Sequence, residues 1–216
     1  YFSENVRLNK VGYESYEGVM ERGNHPISVQ EFEELVLNPE VLILDVRDKK
    51  NFIDGFIPGS LFIGLNGNFA PWVGALIADL DQKIALIVPE GRESEAVMRL
   101  SRVGYDHCIG YLEGGLKAWR NAGFDVAQIE TVKVEHFIDE YTANKIPIID
   151  VRKPSEFETT HIIGAKSLPL DEFANGIAND LENNTFYLHC RSGYRSTIAA
   201  SLLHQMGLHK FINVHG

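Results

Sequence analysis

The sequence predicts an α/β protein of two domains, each a mainly parallel sheet flanked by helices. Two observations carry the prediction. Short apolar runs of strand length alternate with amphipathic segments of helical period, and every such run ends at a loop leading into a helix-like segment. The whole pattern then occurs twice in one chain, and self-similarity at a fixed spacing marks repeated structural units. Alternating strands and helices place a parallel sheet between helical layers, with ligands expected where strand ends meet helix starts.

The elements follow in order. Tyr1 to Asn24 is polar, glycine-bearing and outside either repeat, which predicts a linker from an upstream domain. Val29 to Leu37 has helical period. Val41-Leu42-Ile43-Leu44-Asp45-Val46-Arg47 reads as a buried strand, and it recurs as Ile146-Pro147-Ile148-Ile149-Asp150-Val151-Arg152. The stretch from Asn51-Phe52 to Gly59-Ser60 is echoed by Glu156-Phe157 to Gly164-Ala165. A second strand, Ile84 to Val88 or Thr185 to Leu188, leads through a loop into an amphipathic helix, Ser94 to Val103 or Arg195 to Met206. Gly104-Tyr105 through Gly114 then matches Gly207-Leu208 through Gly216. Leu116 to Ala122 closes the first copy as a helix stopped by Gly123, and the second copy is expected to lack its counterpart. The predicted boundaries are a linker over 1–24, a first domain over 25–128 and a second over 129–216.

The 216 residues carry a formal charge of -10, which supplies no basic field for a polyanion and argues against nucleic acid as a partner. The apolar runs are far too short to cross a bilayer, so no membrane partner is expected. Two cysteines, Cys108 and Cys190, form no disulfide framework, and a reducing, cytoplasmic location is the expectation. The chain opens on Tyr1 without a methionine, which predicts a longer native protein.

Chemistry concentrates in Tyr187-Leu188-His189-Cys190-Arg191-Ser192-Gly193-Tyr194-Arg195-Ser196-Thr197. This stretch comes within one residue of the HC-x5-R-[ST] pattern of cysteine-dependent phosphatases. A thiol of ordinary pKa is only about 3% thiolate at neutral pH, so a nucleophilic cysteine needs help. With Cys190 ending a strand and Ser196 opening a helix, loop amides and the helix dipole would supply it, with Arg191 and Arg195 adding formal charge. Cys108, in Asp106-His107-Cys108-Ile109-Gly110, reads as a small buried hydrophobe. Asp150 and Arg152 read as loop scaffolding, because Asp45 and Arg47 repeat them where no nucleophile follows. His189, His161, Trp72 and Trp119 read as packing residues.

The ordered set of Asp-Val-Arg, Glu-Phe followed by His161-Ile162-Ile163-Gly164-Ala165, the loop Cys190 to Arg195, and Leu112-Glu113-Gly114-Gly115-Leu116-Lys117-Ala118-Trp119 resembles a rhodanese tandem over about residues 25–216. The first copy resembles the catalytically silent domains of that family, with Pro89-Glu90-Gly91-Arg92-Glu93-Ser94 standing where the cysteine loop belongs. Asn68-Phe69-Ala70-Pro71-Trp72-Val73-Gly74 and Asn9-Lys10-Val11-Gly12-Tyr13 are similar to metallo-β-lactamase/rhodanese fusion proteins of the persulfide dioxygenase–sulfurtransferase type. That likeness implies an upstream metallo-β-lactamase-like domain. No HxHxDH metal motif is present, and neither a metal nor another cofactor is expected in this chain.

The resemblance implies a sulfurtransferase with Cys190 as nucleophile. The donor would be thiosulfate or a low-molecular-weight persulfide, and the acceptor a thiol or cyanide. Arg191 and Arg195 would hold the donor's anionic group, and the amides from Arg191 through Ser192, Gly193, Tyr194 and Arg195 to Ser196 would hold the transferred sulfur. Family phosphatases and arsenate reductases carry a seven-residue loop, and the six residues from Cys190 to Arg195 favour sulfur. A cysteine-dependent phosphatase or arsenate reductase, and a non-enzymatic persulfide carrier or docking module, are the alternatives.

Overall fold

The computed structural model describes residues 15–144, 146–175 and 185–215. Two five-stranded sheets share one plan. In the first, β1 (Pro26–Ile27), β2 (Val41–Asp45), β3 (Leu61–Phe62), β4 (Lys83–Ile87) and β5 (Cys108–Leu112) are ordered β1-β5-β4-β2-β3. In the second, β6 (Thr131–Lys133), β7 (Ile148–Asp150), β8 (Ala165–Ser167), β9 (Phe186–His189) and β10 (Phe211–His215) are ordered β6-β10-β9-β7-β8. Every strand pairing in both is parallel. Parallel neighbours need crossovers, and the helices between strands provide them. Covered on both faces, the central strands become continuous apolar runs, which is why Ile84, Ala85, Leu86 and Ile87 are all buried.

The first copy carries α1 (Tyr16–Gly23), α2 (Val29–Val36), α3 (Lys49–Asp54), α4 (Phe69–Leu76), α5 (Glu93–Ser101) and α6 (Gly115–Asn121). The second carries α7 (Val134–Asn144), α8 (Pro154–Thr159), a 3₁₀ turn over Leu170–Asn175, and α9 (Tyr194–Gln205). Local chemistry sets the helix starts. Ser28 and Glu31 form a reciprocal capping box on α2, satisfying two amides that the helix leaves open. On α1, Ser15 accepts from the Gly18 N–H.

Helix α1 corrects the reading of Tyr1 to Asn24 as linker throughout. Val19 and Gly23 are buried against the first sheet and α5, and Arg22 donates to the carbonyls of Asp106 and Cys108. One short apolar face in a polar stretch gave too little periodicity to reveal it. The rest of that predicted linker, and the predicted end of the second copy at Gly216, lie outside the described residues.

The two copies pack through α9. Arg195 to Met206 reads in sequence as amphipathic, yet all eight residues from Ser196 to Leu203 are buried. A helix buried all round has lost its solvent face to a neighbour, and here the neighbour is the first copy. The Phe62 N–H of β3 donates to Ser201 Oγ (3.0 Å), and Gln205 Nε2 donates to the Gly59 carbonyl (2.9 Å). Phe56 meets the His204 ring edge-on at 5.0 Å, and Phe62 meets Tyr194 at 5.8 Å. One apolar cluster therefore runs from Leu44 and Phe62 of the first copy to Ile198 and Leu203 of the second. Among the described residues no helix is long and apolar enough to cross a membrane.

Candidate active site

Cys190 follows the last residue of β9, at the carboxyl end of a central parallel strand, and α9 starts four residues later. Gly193 makes that short loop possible. Its φ of +76° lies in the left-handed region, where a side chain is strained, and this turns the chain directly into the helix. The Ser196 N–H, one of the amides that the first helical turn leaves without an intrahelical acceptor, donates to Cys190 Sγ at 3.4 Å. Ser196 Oγ lies 3.5 Å from the same sulfur. Cys190 is only 4% exposed, so its sulfur rests on the helix N-terminus and is nearly covered.

The two arginines part company. Arg191 is exposed. Arg195 is clasped by Glu156, with Nη1 to Oε2 at 2.5 Å and Nη2 to Oε1 at 2.9 Å. The guanidinium holds the Glu156 carboxyl well below its ordinary value, at about 2. Arg195, expected with Arg191 to hold the donor's anionic group, carries the Glu156 carboxylate already, with its remaining N–H groups left for other partners. Tyr194 turns its side chain away from the sulfur. Its hydroxyl donates to the Gly64 carbonyl across the domain boundary (2.9 Å), and burial pushes that phenol above its ordinary range. The Ser192 carbonyl accepts from Lys49 Nζ of the first copy at 2.5 Å.

Asp150 and Arg152 form a local brace. The Asp150 carboxylate is fully buried and accepts from the Arg152 backbone N–H (3.0 Å), Nε (2.9 Å) and Nη2 (2.7 Å). Arg152 passes on to the Thr160 carbonyl, tying the strand end to the turn after α8. Asp45 and Arg47 repeat this, with Gly55 as the final acceptor. The same arrangement of bonds is thus present in both copies. His189 Nε2 stands 3.9 Å from Asp150, and desolvation lowers its pKa ahead of the opposing pull of that carboxylate. His161 stacks on Phe157 and hydrogen-bonds its carbonyl. Trp119 is buried in the first domain, whereas Trp72 is half-buried and lines a cavity.

That cavity, about 240 Å³, opens between the copies. Asn68, Pro71 and Trp72 of the first copy form one wall, and Lys153, Asp171 and Arg195 of the second stand opposite. Cationic groups and an aromatic face thus meet beside the cysteine loop.

Register defines the corresponding loop of the first copy more sharply than sequence did. Asp45 pairs with Ile87 as Asp150 pairs with His189, so Val88 occupies the position of Cys190. Pro89, which stands at the strand end in sequence, aligns with Arg191. Counting on, Gly91 matches Gly193, both at positive φ, and Glu93 matches Arg195. The Glu93 carboxylate accepts from the Gly91 N–H, filling with its own charge the space where an anion would need an amide. Arg92 is held by Glu95 and Asn66.

Sequence reasoning missed the partners Glu156 and Lys49. A signal for the first was present: the positions held by Glu156 and Arg195 in copy two are Asn51 and Glu93 in copy one, so the residue at the first position changes together with the loop charge. Nothing local marked Lys49.

Residues 28–122 and 133–216 both match the rhodanese-like domain family. The chain belongs to the rhodanese family. Among relatives of these rhodanese domains, the thiosulfate sulfurtransferase GlpE of Shewanella oneidensis is 31% identical over 97 residues, 44% of this chain and 92% of that protein. The thiosulfate sulfurtransferase PspE of Escherichia coli is 34% identical over 70 residues, 32% of this chain and 67% of that protein. YrkF of Bacillus subtilis is 34% identical over 100 residues, 45% of this chain, and the match spans only 54% of YrkF.

Proposed function

We propose that the second rhodanese domain is a sulfurtransferase with Cys190 as its sulfur acceptor. The observation that carries this reading is the seat of the Cys190 sulfur on the Ser196 amide, at a helix N-terminus closed by a six-residue loop. The thiolate attacks the outer sulfur of thiosulfate or of a low-molecular-weight persulfide. A new S–S bond forms to Cys190, the donor's S–S bond breaks, and its electron pair leaves with sulfite or the donor thiolate. An acceptor thiolate or cyanide then attacks the outer sulfur of the Cys190 persulfide and returns Cys190 as thiolate. Amides of the loop hold the charged outer sulfur, and Arg191 together with the N–H groups Arg195 has left over hold the donor anion. Two half-reactions at one site give ping-pong kinetics.

Intact-mass analysis after exposure to thiosulfate, and separately to glutathione persulfide, tests the reading. A gain of one sulfur atom is expected, with none in Cys190→Ser, which also loses turnover. Turnover surviving in that variant overturns the assignment.

A persulfide-carrier role is the second reading, favoured by the 4% exposure of Cys190 and by Glu156 already occupying Arg195. Slow turnover of free donors beside rapid transfer from a protein persulfide separates it from the first. The likeness of Asn68 to Gly74 to metallo-β-lactamase/rhodanese fusions supports an upstream domain of that type as the natural sulfur source. Joining such a domain to this chain and finding no faster loading of Cys190 would count against it.

A further inference from the structure

Lys49 lies in the first copy, at the start of α3, and its ammonium reaches across to the cysteine loop of the second. Its Nζ donates to the Ser192 carbonyl at 2.5 Å, over 143 positions of sequence. It also lies 2.9 Å from where a Cβ on Gly193 would sit, with His215 Nδ1 at 3.4 Å from the same point. The neighbouring Asp48 carboxylate is turned to Asn66, which donates to it at 2.6 Å. The contact therefore joins a cation of the silent copy to the backbone of the loop that carries the nucleophile.

The chemistry of a peptide gives this contact a direction. No peptide bond among the described residues is cis, and a trans peptide points its C=O and N–H in opposite senses. Drawing the Ser192 carbonyl out toward Lys49 turns the Gly193 N–H the other way, and the ammonium polarises the shared peptide so that this N–H becomes the more positive. By the same register the second copy carries Pro154 at the position of Lys49.

We propose that Lys49 is a positioning residue for Cys190: the silent rhodanese domain clamps the Ser192–Gly193 peptide and thereby promotes the thiolate in its neighbour. This inference rests on Cys190 being the reactive sulfur. The first domain carries Val88 at the position of Cys190, and among its contacts with the neighbouring loop is this one cation from α3.

The test is the rate of Cys190 alkylation by iodoacetamide on the full chain, followed by intact mass from pH 6 to 9. Cys108 is an internal control, buried and with its thiol pushed up to about 11 by desolvation. In Lys49→Met the rate at pH 7 is expected to fall about threefold to tenfold and the profile to move to higher pH, with Lys49→Arg restoring it. Lys49→Gln keeps an N–H donor without the charge and should fall between. His215 titrates nearby, so the comparison is repeated in His215→Gln, where the Lys49→Met effect is expected to persist. A Lys49→Met protein that alkylates at the original rate across the range overturns the proposal. If that variant misfolds, equal rates for Lys49→Gln and Lys49→Arg overturn it instead. Alkylation needs no sulfur donor, so a slowed variant in a chain that transfers no sulfur would refute the sulfurtransferase reading and leave this one standing.

Discussion

Replacing Glu156 by Gln keeps the shape of the side chain and one acceptor but removes the charge that clasps Arg195. In the folded protein the Glu156 carboxyl sits at about 2 against an ordinary 4.5, chiefly through its hydrogen bonds from Arg195. At about 1.4 kcal/mol per unit that gap sets a ceiling of roughly 3 kcal/mol. Glu156 is 32% exposed and Arg195 18%, so solvent screening brings the working figure to about 1–2 kcal/mol. Because the folded value is depressed, the stabilisation is complete above the ordinary value and is lost as pH falls toward 2, with about half gone near pH 3.3. Urea denaturation of both proteins at pH 7 and at descending pH measures it. The stability gap should be about 1–2 kcal/mol at pH 7 and should narrow steadily below pH 5. A gap that stays constant with pH, or one under about 0.3 kcal/mol at pH 7, would refute a charged clasp.

Two further perturbations probe the contact between the copies. Ser201→Ala removes the acceptor of the Phe62 N–H and should cost about 1–3 kcal/mol in urea denaturation, since that residue is fully buried; a loss below about 0.3 kcal/mol would place the amide on another acceptor. Burial, with His209 adding to it, lowers the His204 pKa to about 4, so the imidazole resists protonation in the fold while the unfolded chain takes up protons below about 6.5. Stability is therefore present above that value and lost as pH falls toward 4, and His204→Leu should lose about 1 kcal/mol less than the parent between pH 7 and pH 5. Identical acid sensitivity in both proteins would show that His204 titrates freely when folded.

The two domains show one scaffold carrying two different loops at the same strand end. Both keep the buried Asp–Arg brace, the positive-φ glycine of the loop and the same strand order. They differ where an anion would sit: Val88 for Cys190, and Glu93 for Arg195. Glu93 accepts from the Gly91 amide within the first loop, which therefore carries a carboxylate where the second carries a guanidinium. Its contributions to the second loop come from elsewhere on its surface, through Lys49, Gly64 and the α4 wall of the cavity.

The amino-acid order by itself determined the duplication, the α/β class and the position of the cysteine loop. Apolar runs of strand length and a glycine-turned loop are local properties, written in neighbouring residues. It also carried the Asp150–Arg152 brace, whose members are two positions apart. The tertiary structure alone decided what those groups face. Arg195 meets Glu156 across 39 residues, Ser192 meets Lys49 across 143, and α9 is buried all round because a second domain covers the face its pattern left for solvent. Such pairings depend on how whole domains pack, and no local periodicity encodes that. The offset of Val88 rather than Pro89 against Cys190 likewise needed strand register, since a shift of one residue exchanges the faces of a sheet.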